Sequence, residues 1–405
     1  MVHRLVQAVA RALSAADGSA QDAVARLIAR LVAIYPEESY TDPRSWPLCG
    51  QLTPHLLARR DAGSDAASEI ADWPKLLDRA GSYFHTRAAY RQAVPLFSDA
   101  LGVREKLLGP EHPDTATSLN NLALLLQHQG DLAGVRPLFE RALVIWEKAL
   151  GPEHPDTLTA LNNLGCLLMD QNNLTDARPL FERALASREK VLGPAHPKTA
   201  TSLGNLGSLM EKQGKFTEAR QLYERALAIC EKVLGPEHPQ TAGSLHNIAF
   251  VLEAEGDLAG ARPVYERTLA LFEKLFGPEH SHTATILSNL ARLLSKSGHE
   301  KDAEPLFQRA IAIGQKALGV GHPLTHRYRS HCARLFLDTG RPADALAFAE
   351  TALAIHAASC GPSHIWTCDA ARVTADALDA LGRREEAKVV RERYGLAEAA
   401  KPKPS

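Results

Sequence analysis

Residues 108–149 read LGPEHPDTATSLNNLALLLQHQGDLAGVRPLFERALVIWEKA, and this string decides the architecture because the chain keeps repeating it. Its marker glycine recurs as Gly109, Gly151, Gly193, Gly235, Gly277, Gly319 and Gly361, each 42 residues after the last. A histidine stands three residues behind each glycine, from His112 to His364. A second set, Gly130, Gly214, Gly256, Gly298, Gly340 and Gly382, keeps the same step, with Asn172 filling the gap. A fixed period of this length means stacked supersecondary units.

Each unit reads as two helices. Gly-Pro stops the preceding helix, because glycine accepts a left-handed cap and proline cannot continue the hydrogen-bond ladder. Asp114 or Thr115 is the expected cap of a first helix whose Leu119, Leu122, Ala123 and Leu126 fall at helical spacing. Gly130 closes it and Asp131 opens the second, which carries Val135, Leu138, Phe139, Ala142, Leu143 and Trp146 on one stripe. Pro137, with Pro95, Pro179, Pro263 and Pro305 in sister units, is expected near the first turn, where proline costs little.

The order Leu119, Leu122, Ala123, Leu126, Gly130, Val135, Phe139, Ala142 resembles the tetratricopeptide signature of large, large, small, large, glycine, small, aromatic, small. The ordinary unit of that family has about 34 residues. The longer second helix and the Gly-Pro-Glu-His-Pro-Asp-Thr connector look like the repeats of kinesin light chains. The resemblance implies an all-α fold, a right-handed superhelical solenoid of antiparallel helix pairs. Its units fall at 67–108, 109–150, 151–192, 193–234, 235–276, 277–318, 319–360 and 361–396, the outer two reading as caps. Residues 1–66 form a helical connector or cap, and 397–405, AEAAKPKPS, a disordered tail. Within 1–66, His-Arg-Leu-Val-Gln, Trp-Pro-Leu-Cys and Pro-His-Leu-Leu resemble the connector of bacterial STAND-class NTPases that carry tetratricopeptide arrays.

Composition removes several function classes. Lys plus Arg is 46 against 47 Asp plus Glu, so no general attraction to nucleic acid or anionic membrane is expected. No apolar run approaches the roughly 20 residues of a membrane span, and the expected location is cytoplasmic. The six cysteines include no Cys-x-x-Cys. The nearest approach to a phosphate-binding loop, Gly214-Lys215, continues into Phe216 and has Leu209 where the first glycine belongs. No catalytic residue, metal or cofactor is expected. The run His356, Cys360, His364, Cys368 has zinc-compatible types, but Gly361-Pro362 interrupts it, so a structural role is favoured.

What remains is binding. In tetratricopeptide arrays the first helices line the concave groove, and by that resemblance Asn121, Asn163, Asn205, Asn247 and Asn289 would clasp an extended peptide backbone. The same asparagines could instead bond neighbouring helices. Leu124, Cys166, Met169 and Phe250 would give an apolar middle, and Arg292, Lys296, Arg327, His331 and Arg334 a basic end. The expected partner is a protein or peptide with an apolar or aromatic anchor and acidic residues. The second expectation is the sensor part of a STAND-type signalling ATPase without its nucleotide-binding domain.

Overall fold

The computed structural model of the chain describes residues 19–36, 45–61, 70–86, 89–129 and 132–396. Residues 1–18 of the expected connector, the pair Gly130–Asp131 and the tail 397–405 lie outside them. The described residues form eighteen α-helices and no strand. They divide into two compact units, 1–194 and 195–405.

In the first unit, α1 (Ser19–Ile34) and α2 (Trp46–Asp61) precede three hairpins. These are α3/α4 (Trp73–Thr86, Tyr90–Leu108), α5/α6 (Pro113–Gln129, Leu132–Leu150) and α7/α8 (Pro155–Asp170, Leu174–Leu192). The leading pair has no core of its own. Ile28, Leu31, Leu52 and Leu56 pack into one cluster with Leu76, Leu77 and Ala80 of the first hairpin. Arg79 seals the junction, donating from Nη1 to the carbonyls of Val32 at 2.5 Å and Tyr35 at 3.0 Å, where α1 runs out of its own donors.

The second unit holds five hairpins. They are α9/α10 (Pro197–Lys212, Phe216–Val233), α11/α12 (Pro239–Glu255, Leu258–Phe276), α13/α14 (Ser281–Lys296, Glu300–Ala317), α15/α16 (Pro323–Asp338, Pro342–Cys360) and α17/α18 (Ile365–Ala380, Arg384–Arg393). Three second helices bury an aromatic at one register position, Tyr223, Tyr265 and Phe307, where α16 has Ala349 and α18 Arg391. A Cβ added to Gly207 would lie 2.6 Å from the ring of Tyr223. Full burial of one such ring contributes about 1.5–3 kcal/mol, and the stack adds these in series.

Three local expectations are corrected. The first-helix cap is the histidine, not Asp114 or Thr115. His112 Nδ1 accepts from the amide of Asp114 at 3.1 Å, and His154, His196, His238, His280, His322 and His364 repeat this at 3.0–3.3 Å. Where proline occupies the first helical position it has no N–H, so the next amide is the first donor that needs a partner. The threonine faces inward instead. Thr241 Oγ1 donates to the carbonyl of Gly235 at 2.8 Å and Thr367 to that of Gly361 at 2.7 Å, closing the connector on itself.

The two glycine sets also differ. Gly256 is a left-handed cap at φ 88°, ψ 2°, and Asn172 adopts φ 60° in the same role. The marker glycines sit elsewhere: Gly277 has φ 95°, ψ 159°, a region only glycine enters freely. The prolines, finally, lie deeper than the first turn. Pro179 is the sixth residue of α8, a position that forfeits one backbone hydrogen bond.

Candidate binding face

The first helices carry a seam of side-chain hydrogen bonds whose partners are 43 residues apart. In the first unit Asn163 Nδ2 donates to Asn120 Oδ1 at 2.9 Å. In the second, Asn289 Nδ2 donates to His246 Nε2 at 2.9 Å, and Ser288 Oγ bonds His331 Nδ1 at 3.1 Å. Asn163, Asn289 and His331 thus stitch successive first helices together. Asn289 is 8% exposed; Asn121, Asn163, Asn205 and Asn247 are half-buried. Asn247 has Gly204 as its counterpart one hairpin back, a residue with no side chain to bond.

Leu124 and Met169 are half-buried in the first unit, whereas Phe250 belongs to the second, so the expected apolar middle is described in two parts. Within the second unit, Asn247, Phe250, Asn289, Arg327 and His331 converge on one cavity of about 240 Å3, together with Leu324. Arg292, Lys296, His331 and Arg334 line a second, of about 250 Å3.

The expected basic end is largely neutralised from within. Glu253, 5% exposed, takes Arg292 at 2.9 Å and Lys296 at 2.9 Å, and also accepts from the Tyr265 hydroxyl at 3.3 Å. Arg334 pairs with Asp376 at 2.9 Å. Buried charge requires a partner, and α11 supplies one to α13. Arg327 differs: its guanidinium lies 4.8 Å from the ring centroid of Trp366, and no carboxylate among the described residues comes within ion-pair distance. Burial holds His331 well below the usual imidazole range, and Arg292 and Arg327 add to that; His246 is pushed down to about 4 by the same causes in the same order. Both imidazoles are therefore neutral at physiological pH.

Glu253 and Glu211 are site residues that the sequence reading passed over. Each stands twelve residues before a tyrosine, Tyr265 and Tyr223, where four other hairpins place Phe97, Phe139, Phe181 and Phe307. Tyr223 donates to Glu211 at 3.1 Å. The joint change of two positions was the legible signal. His356 is spent inside the array, with Nε2 3.0 Å from the Pro323 carbonyl and Nδ1 3.2 Å from that of Trp366. The cysteines, Cys166 included, are free thiols. Among the described residues no helix is long and apolar enough to cross a membrane.

A tetratricopeptide repeat profile matches residues 75–143, 119–186, 167–232, 205–259, 240–316 and 301–358. The chain belongs to the tetratricopeptide repeat family. This tetratricopeptide protein is 31% identical over 122 residues to a nucleotide-binding leucine-rich repeat (NLR)-like protein of Hyaloscypha variabilis, over 29% of the chain and 12% of the relative. A putative kinesin light chain of Podosopora anserina with nearly identical TPR-like repeats is 28% identical, over 51% of this chain and 98% of that one, at a TM-score of 0.44. The apo form of RapI shares the fold at 14% identity and a TM-score of 0.56, over 70% of this chain and 97% of its own. The tetratricopeptide fold is a scaffold for protein–protein interaction.

Proposed function

We propose that this tetratricopeptide protein is a non-enzymatic scaffold that holds an extended segment of a partner protein along the first-helix face of its second unit. The observation that carries the reading is the cavity at Phe250 and Arg327, where an apolar wall adjoins a guanidinium that no carboxylate of the described residues reaches within ion-pair distance, Asp369 acting on it only from further off. Phe250 and Leu324 suit an apolar or aromatic anchor; Arg327 suits an acidic group beside it, and Asn247 offers an amide to the partner's backbone. Arg292 and Lys296 act at one remove, because Glu253 already holds them.

The test is a peptide-array screen with acidic-aromatic sequences, followed by fluorescence anisotropy on the best binder. Arg327→Glu should weaken binding about tenfold or more while leaving Tm within a few degrees. Unchanged affinity rejects the reading.

A second reading, the sensor part of a STAND-type signalling ATPase, is favoured by the match to the nucleotide-binding leucine-rich repeat-like protein. Sequencing the DNA upstream of Met1 tests it, since absence of an in-frame nucleotide-binding domain would leave only action in trans.

A further inference from the structure

The seam of the second unit stops one step early. His246 meets Asn289 and Ser288 meets His331, each across 43 residues. The next step pairs Ser330 with Val373, which has nothing to offer. Ser330 is 5% exposed, and its Oγ is buried without a hydrogen-bond partner. The space where the missing amide or imidazole would stand remains as the cavity of about 250 Å3, with Ser330 and Val373 both in its wall. A second buried polar group in that wall, Nε of Arg292, is also unpartnered. Two unpartnered buried groups thus belong to residues of one cavity wall, at the step where the seam fails.

We propose that this cavity binds a phosphoryl group carried by a side chain of the partner segment, an inference that rests on the first-helix face being the binding face. Its walls carry four cations from three successive first helices: Arg292 and Lys296 from α13, Arg334 from α15 and Arg372 from α17. Each already gives one contact to an internal carboxylate: Glu253 for the first two, Asp376 for Arg334 and Asp369 for Arg372. Asp369 and Asp338 also line the cavity. A partner carboxylate would compete with these as an equal. A phosphoryl dianion brings about twice the charge and three acceptor oxygens, so it can draw donors from several helices at once. The orphaned groups suit it too: Arg292 Nε–H donates and the Ser330 hydroxyl can, once the two enclosed side chains turn toward the cavity. A nucleic-acid backbone is disfavoured because its phosphates would need a row of uncommitted cations, and the chain as a whole carries a net charge of -1.

Isothermal titration of the full chain with O-phosphoserine, inorganic phosphate, N-acetylaspartate and a single-stranded RNA oligonucleotide tests the proposal at fixed ionic strength. O-phosphoserine should bind at least about tenfold more tightly than N-acetylaspartate. Val373→Asn, which supplies the missing amide and so gives the Ser330 hydroxyl an internal partner, should weaken that binding severalfold. Ser330→Ala, a change of one atom, should weaken it severalfold with Tm retained, and keeps the test valid should Val373→Asn not fold. Equal binding of O-phosphoserine and N-acetylaspartate overturns the proposal. So does full affinity in Ser330→Ala, or RNA binding that competes with O-phosphoserine. An acidic-aromatic peptide that still depends on Arg327 after such a result would leave the scaffold reading standing without this subsite.

Discussion

Asn289 donates to His246 across a hairpin boundary, Nδ2 to Nε2 at 2.9 Å, so the amide that looks like a ligand clasp is also a structural stitch. Asn289→Ala would leave the imidazole nitrogen enclosed and unpaired. Stability should fall by about 1–3 kcal/mol. Urea denaturation of the purified variant reads this directly, and a loss below the fitting error would show that the bond contributes nothing.

The burial of the same imidazole predicts pH dependence. His246 is held at about 4, first by burial, then by the charges of Arg292, Arg327 and His282. The unfolded chain protonates this group near pH 6.5, so between about 6.5 and 4 the unfolded state binds more protons than the folded one. Stability is therefore full above that window and lost as pH falls through it, by about 3 kcal/mol in all. Replacing His246 with Gln should reduce the slope of the denaturation midpoint across this range, with His331 keeping its own share. An identical pH profile in the variant would remove His246 as the cause.

Glu253 serves two cations and a tyrosine from one enclosed position. Glu253→Ala should cost about 3–5 kcal/mol, because it strands Arg292. The double variant with Arg292→Met should recover part of that loss, since an apolar pair needs no counter-charge. A double-mutant cycle with no coupling energy would contradict the pairing.

Two glycines of the second unit should respond in opposite directions to alanine. Gly277 occupies φ 95°, ψ 159°, so Gly277→Ala should destabilise by about 1–3 kcal/mol. Gly243 lies inside α11 with nothing within 4 Å of an added Cβ, and Gly243→Ala should stabilise by about 0.5–1 kcal/mol. Thermal melts of the two variants check the signs.

His322 accepts from the amide of Leu324 at 3.2 Å and opens α15. Loss of that cap in His322→Ala should cost about 1 kcal/mol, and His322→Asn should retain most of it. Equal loss in both variants would show that the ring matters through packing rather than as an acceptor.

Much of the fold was legible in the sequence because its determinants are local. The glycine step marks where the chain must enter conformations closed to other residues, and Asn172 was readable as the one substitution that tolerates them. The helix-pair boundaries follow from the same signals. Even locally, a histidine acting as cap escaped the usual preference for Asp and Thr, because the proline behind it moved the first needy amide one residue on.

By itself the sequence determined the period, the helix pairs and the family, because glycine, proline and apolar spacing are read within each unit. Which charges face a partner was decided only by the tertiary structure. Arg292 and Glu253 are 39 residues apart, and Ser330 and Val373 are 43, so their fates depend on how one hairpin seats on the next. The repeat advances by 42 residues while the seam bonds across 43, and that offset of one arises from stacking rather than from any local pattern. It is why Ser330 falls opposite Val373 and is left without a partner.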